Sequence, residues 1–230
     1  EDTDHQRNKE EYTKAILDSF AWCGIESDEE IVYQSKRQPL YEQYIKKLVT
    51  SGKAYYEEQI DETGKKSTVL KCRVEKNNSH ISFHDIIRGK IAFPIEEFED
   101  FIIVRSDGTP LYNLVVVIDD IEMGISHIIR GEEHLPNTPK QIILYRALGA
   151  KIPQFAHLPL ILGPDRKKLS KRDAATAVID YKNEGIYPEA LCMYLLRLGW
   201  AYKDQEIFTS EEIYRYFKLE DIHLASAIFD

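Results

Sequence analysis

The chain has 230 residues, 43% of them hydrophobic and 30% charged, enough apolar material for a real core and enough charge for a soluble protein of one large domain or two or three small ones. No run of about 18 apolar residues occurs, so no membrane-spanning helix is expected. The net charge of −9 argues against a general nucleic-acid binder, although a local basic track remains compatible with it, because salt screens charge beyond roughly 8 Å.

The start, Glu1-Asp2-Thr3-Asp4, is neither a signal peptide nor an initiator sequence. The apolar residues Tyr12, Ile16, Leu17 and Phe20 then recur at helical spacing, with Gly24 to end the helix. A second helix is expected from about Pro39 to Val49, with Leu40, Tyr41, Tyr44, Ile45 and Leu48 on one face and Gly52 as its stop. Residues 57–68, EEQIDETGKKST, are polar and aperiodic and read as a turn at Thr63-Gly64 or a loop. Strands are predicted at Val69–Val74 and Phe101–Arg105, the latter followed by the turn Asp107-Gly108-Thr109-Pro110. The continuous apolar run Leu114–Ile118 suits a buried strand of a parallel sheet, and His127–Arg130 another short strand. Thr138-Pro139 opens a helix ending near Gly149, with Thr138 as its cap. Tyr187-Pro188 opens one ending at Gly199, and Ile213, Tyr216 and Phe217 mark an amphipathic tail. Strands mixed with helices give an α/β layer with α+β and helical additions.

Three clusters carry candidate chemistry. Five of the seven residues from Arg166 to Arg172 are cationic and follow Gly163-Pro164-Asp165. Such a loop can clamp phosphates, although composition alone favours a solvated turn. Arg130-Gly131-Glu132-Glu133-His134 stands where a strand ends and a helix is about to begin, the usual ligand position in doubly wound sheets. Arg130 there can fork onto a carboxylate or form an Arg–Glu pair that shapes the loop. The Glu1–Asp4 carboxylates with Arg7 suit an ammonium group, a metal or a helix N-terminus. Tyr112, after the turn, offers a hydroxyl to a ligand or half-buries in a core. Cys23, Cys72 and Cys192 are widely spaced, and His127 and His134 have no partnering pattern, so neither a disulfide framework nor zinc is expected, and a reducing cytoplasm is the simplest setting.

Taken together, EDTDHQR, YQSKRQPLYEQYIKKLVTSGKAYY, FIIVRSDGTPLYNLVVVIDDIEMGISHIIRGEEHLPNTPKQIILYRALG and HLPLILGPDRKKLSKRDAATAVIDYKNEGIYPEALCMYLLRLGW resemble the glutamyl-tRNA synthetases, class I enzymes whose K-M-S-K-S signature KLSKR varies. The likeness covers nearly all of the chain except about 57–68. It implies a Rossmann-like catalytic domain, incomplete at its start, over 1–50 and 116–161. An α+β acceptor-binding insertion would occupy 51–115, and a helical stem-contact domain with the KLSKR loop 162–230. It implies ATP-dependent attachment of glutamate to tRNA(Glu) through a glutamyl-adenylate. ATP enters with Mg2+, with no zinc expected in this segment, and the enzyme is a cytoplasmic monomer without membrane contact. Glu1, Tyr112 and Arg130 match glutamate-binding positions. His134, Leu160, Ile161 and Lys171 lie where ATP is received. Lys168 and Lys171 match the catalytic signature-loop lysines, and Asp4, Arg7 and Arg88 lie toward the tRNA acceptor end. The family's H-I-G-H-type signature and anticodon-binding domain are absent, which implies that this fragment alone does not form the adenylate. Many bacterial relatives carry a cysteine-rich zinc insertion after the segment matching Ala54-Tyr55-Tyr56, which here runs directly into Glu57. Two other readings stay open: a paralogue that glutamylates a modified tRNA base, and a non-catalytic tRNA- or amino-acid-binding module.

Overall fold

The computed structural model describes residue 2 and residues 9–60, 62–77, 79–169 and 177–229. The chain divides into two compact units, Lys36–His157 and the pair of segments Glu1–Ser35 and Leu158–Asp230.

In the split unit, helix α1 (Glu10–Trp22) forms where the periodicity predicts and stops before Gly24, whose φ of 70° is left-handed. Its apolar stripe of Tyr12, Ile16, Leu17 and Phe20 is nonetheless exposed. Asp2 is buried and accepts hydrogen bonds from the Ser35 backbone N–H (2.9 Å) and hydroxyl.

The continuous unit begins with α2 (Gln38–Thr50), whose Tyr41 and Leu48 are buried. Residues 57–68 are not an irregular loop, although the expected turn at Thr63-Gly64 is present, with Gly64 at a left-handed φ of 80°. They belong to a hairpin of β1 (Ala54–Ile60) and β2 (Lys66–Cys72), paired antiparallel from Ala54↔Cys72 to Ile60↔Lys66. The hairpin is polar because its outer strand faces water on alternate residues, where Lys66–Glu58 (2.7 Å) pairs across the strands, while Lys71–Glu57 (2.6 Å) does so on the opposite, less exposed face. After β3 (His80–Asp85) and β4 (Gly89–Pro94), β5 (Phe101–Val104) completes a three-stranded sheet in the order β1-β2-β5.

Leu114–Ile118 is not a strand either. It lies within helix α3 (Tyr112–Glu122), which buries Leu114, Val115, Val117 and Ile118. A short apolar run looks the same in a buried helix and a buried strand. Here the polar residues after the run decide. Asp119 meets Arg37 (2.8 Å) and the Tyr41 hydroxyl (3.1 Å), Asp120 accepts from the Tyr145 hydroxyl (2.6 Å), and Glu122 accepts from the Tyr44 hydroxyl (2.6 Å). Only a helical turn distributes these three carboxylates to partners on two flanking helices. Burial, then the Glu122 bond, pushes the Tyr44 phenol up to about 12.

Strand β6 (His127–Gly131), a 3-10 turn at Glu132–Asn137, helix α4 (Thr138–Leu148) and β7 (Gln154–Leu158) follow. Gly149 ends α4 in the left-handed conformation (φ 67°). Thr138 is not the cap; Asn137 holds that position, and the Thr138 hydroxyl serves elsewhere. A second sheet runs β4-β3-β7-β6, with β3 antiparallel to β4 and parallel to β7 through Asp85↔Phe155. Strand β3 thus comes from the segment 51–115 and shares a sheet with β6 and β7 of the segment 116–161. One core joins α2, α3 and α4 to both sheets, centred on Leu48, Leu70, Ile81, Leu114, Ile142 and Phe155.

The chain then returns to the split unit with β8 (Ile161–Leu162), α5 (Val178–Asn183), α6 (Pro188–Gly199), α7 (Ser210–Tyr216) and β9 (Ala227–Ile228), β8 pairing parallel with β9. Thr209 caps α7, accepting from the Glu212 N–H while the Glu212 carboxylate accepts from the Thr209 N–H. Buried Trp200 packs against Phe208 and Phe217.

Candidate active site

The carboxyl ends of β6 and β7 and the amino ends of α3 and α4 bring polar side chains together in the continuous unit. Arg130, near the end of β6, donates from Nε to His157 Nε2 (3.1 Å) and from Nη2 to Thr138 Oγ1 and Gln141 Oε1 (2.8 Å each). Gln141 in turn donates to Asn113 Oδ1 (3.1 Å), which couples α4 to the first turn of α3. The Tyr112 hydroxyl stands 3.2 Å from His134 Nδ1 and within hydrogen-bonding reach of Arg130. Three residues expected at the substrates, Tyr112, Arg130 and His134, therefore meet.

Neither prior picture of Arg130 fits in full. Among the described residues no carboxylate forms an ion pair with it. Its Nε and Nη2 donors are already committed to neutral acceptors, so an incoming carboxylate is met by the Nη1 side rather than by the Nε/Nη2 edge. Burial lowers the guanidinium pKa, and the Tyr112 and Asp120 oxygens oppose that shift.

The glutamate-to-arginine pair that shapes the loop is made by Arg88. Its Nη2 pairs with Glu132, and its Nε donates to the His157 carbonyl (3.1 Å). Arg88, expected toward the tRNA, is thus partly engaged within its own unit.

Two residues outside the expected set sit beneath Arg130. His157 and Asp85 are both fully buried. Asp85 ends β3 and accepts from the N–H groups of Ile87 (3.1 Å), Arg88 (3.0 Å) and His157 (3.2 Å), and lies 2.6 Å from His157 Nδ1. Burial raises the Asp85 pKa, but these bonds outweigh it and hold the carboxyl below its ordinary value. Burial, with the Arg130 and Arg88 charges, lowers the His157 pKa against the pull of Asp85. The signals available in the sequence were single polar residues inside apolar stretches, Phe155-Ala156-His157-Leu158 and Asp85 before Ile86-Ile87.

The remaining expected residues lie in the split unit. Leu160 and Ile161 line an apolar cavity of about 200 Å3 with Trp200 and Phe217. The turn after β8 is built, not irregular: Gly163 N–H donates to the Lys167 carbonyl (2.8 Å), Arg166 takes a left-handed φ of 61°, and Lys168 bridges Leu162. Asp165 accepts from the Lys167 N–H (3.0 Å), and that bond holds its carboxyl below the ordinary value. Glu1, Asp4, Arg7 and Lys171 lie outside the described residues. Among the described residues no group of three or more His, Cys, Asp or Glu side chains is placed to hold a metal ion. Cys72 closes β2 fully buried, and burial pushes its thiol up to about 12.

The family model described as tRNA synthetases class I (E and Q), catalytic domain, matches residues 1–68 and 56–230. Glutamate–tRNA ligase 2 of Campylobacter concisus (strain 13826) is 46% identical over 259 residues, which cover all of this chain and 56% of that protein. Glutamate–tRNA ligase of Oleidesulfovibrio alaskensis is 45% identical over 257 residues, covering all of this chain and 55% of its own. The crystal structure of a glutamate tRNA ligase from Elizabethkingia meningosepticum in complex with its amino acid aligns with a TM-score of 0.84 and 29% identity, over 99% of this chain and 59% of that one. The chain spans about half the length of the curated relatives it matches. The matched span of 259 residues exceeds the 230 of this chain, so that relative carries extra residues within it, and the two family matches overlap at the β1–β2 hairpin.

Proposed function

The chain belongs to the class I tRNA synthetases (E and Q), catalytic domain, and from that premise we propose that it contributes part of the site with which a glutamate–tRNA ligase activates L-glutamate with ATP and passes it to tRNA(Glu). The observation that carries this reading is Arg130. A half-buried guanidinium whose hydrogen bonds to His157, Thr138 and Gln141 all go to neutral acceptors has no carboxylate in ion-pair contact among the described residues, and Asp120 acts on it only at longer range. Such a group favours a ligand carboxylate, because an opposite charge is worth most where water is scarce. Glutamate has a side-chain carboxylate, and glutamine does not.

In this reading Tyr112 and Glu1 join Arg130 on the amino acid. His134, Leu160 and Ile161 receive ATP as its Mg2+ complex, and Lys168 and Lys171 meet the charge that grows on the departing pyrophosphate. Asp4, Arg7 and Arg88 face the acceptor end of the tRNA. Residues 51–115 act as the acceptor-binding insertion, and 162–230 as the stem-contact domain bearing the signature loop. The enzyme works as a cytoplasmic monomer; no helix among the described residues is long and apolar enough to cross a membrane.

Arg130→Lys in the full-length protein tests the reading. Lysine keeps the charge but loses the planar fork and with it the bonds to His157, Thr138 and Gln141. The KM for glutamate in ATP–pyrophosphate exchange should rise about ten- to a hundredfold while the KM for ATP stays put. An unchanged glutamate KM overturns the assignment.

A further inference from the structure

We infer that His157 is a positioning residue for the amino-acid site: Asp85 fixes its ring as the Nδ1–H tautomer, and the unprotonated Nε2 so presented holds the Arg130 guanidinium in place through its Nε–H. This rests on the assignment of Arg130 to the substrate carboxylate and adds what keeps that side chain aimed.

The ionised Asp85 carboxylate can only accept. Three backbone N–H groups converge on it, and His157 Nδ1 lies 2.6 Å from its Oδ2. Nδ1 must therefore carry a proton. Arg130 also can only donate, and its Nε stands 3.1 Å from His157 Nε2. Nε2 must therefore be bare. A proton on both nitrogens would set an N–H against an N–H and add a third positive charge beside Arg130 and Arg88. Both rings of constraint act on a side chain with no exposure to water, so no solvent exchange relaxes them.

The arrangement also explains why Arg130 is held by neutral groups. Thr138 Oγ1 stands 3.1 Å from His157 Nε2 and takes one Nη2 proton, and Gln141 takes the other. A carboxylate in the place of His157 Nε2 would fix the guanidinium equally well but would cancel its charge. An imidazole fixes it without placing a counter-charge in contact, so the guanidinium stays open to a ligand carboxylate. The ring stacks on Phe155 (6.1 Å between centroids, 18° apart), and the guanidinium lies 5.7 Å from the same ring, so packing holds the angle that the hydrogen bond requires.

Two near-isosteric variants of the full-length protein separate this role from simple core packing. H157N keeps a donor at the Nδ1 position for Asp85 but ends short of Arg130. H157Q reaches the Nε2 position with an oxygen acceptor and gives up the Asp85 bond. In ATP–pyrophosphate exchange, H157N should raise the glutamate KM about tenfold and H157Q should recover most of that loss, with the ATP KM moving less than about twofold in both. Equal glutamate KM values for the two variants, or a wild-type value for H157N, overturn the inference. Should either variant fail to fold, nitrogen NMR of the wild-type ring decides. A neutral ring protonated at Nδ1 near pH 7 is expected, and a doubly protonated or Nε2–H ring overturns it. If Arg130→Lys leaves the glutamate KM unmoved, the assignment of the site itself fails. If it raises that KM and H157N does not, only the role of His157 falls.

Discussion

The two cationic regions of this chain are built in opposite ways. Arg130 is pinned from below by His157, Thr138 and Gln141, and His157 is pinned by Asp85. The turn after β8 carries its cations on an exposed hairpin, where Lys167 meets Asp165 at 3.4 Å with most of its side chain in water. A half-buried cation bonded through Nε and Nη2 is aimed before its ligand arrives, so its loss should appear in ground-state binding. A solvated basic turn is organised by the phosphates it meets, so its loss should appear in the rate.

The strongest way to break this contrast is to remove the base of the pinned region. Asp85→Ala strips three backbone N–H groups and the His157 ring of their acceptor in a site closed to water. Leaving a buried donor without its acceptor costs about 1–3 kcal/mol, and several lose theirs at once, so the urea midpoint should fall sharply. A midpoint within error of wild type would show that the network does not hold the sheet together.

The signature-loop lysine expected to meet the leaving pyrophosphate should respond in the rate. Lys171→Ala in the full-length protein should slow single-turnover adenylation by about a hundredfold, the usual loss for one contact to a developing charge, and leave glutamate binding nearly unchanged. An equal loss in glutamate affinity would mean that the loop supports the amino-acid pocket instead.

Acid sharpens the comparison further. The pKa values of His157 and Asp85 both lie below their ordinary 6.5 and 3.8, so each binds fewer protons folded than unfolded and stability rises with pH. The His157 contribution is lost as pH falls below 6.5, and the Asp85 contribution only as it falls below 3.8. Thermal midpoints should therefore drop between pH 7 and pH 5, and drop less in H157Q, which has no imidazole to protonate. Parallel curves for the two proteins would assign the acid sensitivity elsewhere. The smallest effect belongs to the surface of the hairpin. Glu58→Gln, which removes an exposed partner of Lys66, should change stability by less than about 1 kcal/mol. A larger loss in chemical denaturation would show that the polar face of the hairpin is structural.

By itself the sequence determined the helices α1, α2, α4 and α6, because apolar spacing and glycine stops are local properties. Its motifs also picked out Tyr112, Arg130 and His134, which the fold brings together. Three things were decided only in three dimensions. Leu114–Ile118 became a helix because Asp119, Asp120 and Glu122 find Arg37, Tyr41, Tyr145 and Tyr44 on the helices around it, and no local pattern encodes that choice. Residues 57–68 became a hairpin because a sheet edge tolerates polar side chains wherever the neighbouring strand supplies the hydrogen bonds. Asp85 and His157 became a pair because one parallel register sets the end of β3 beside β7. Separated along the chain and each looking like a stray polar residue, they acquire a purpose only when burial removes water and leaves each as the other's partner.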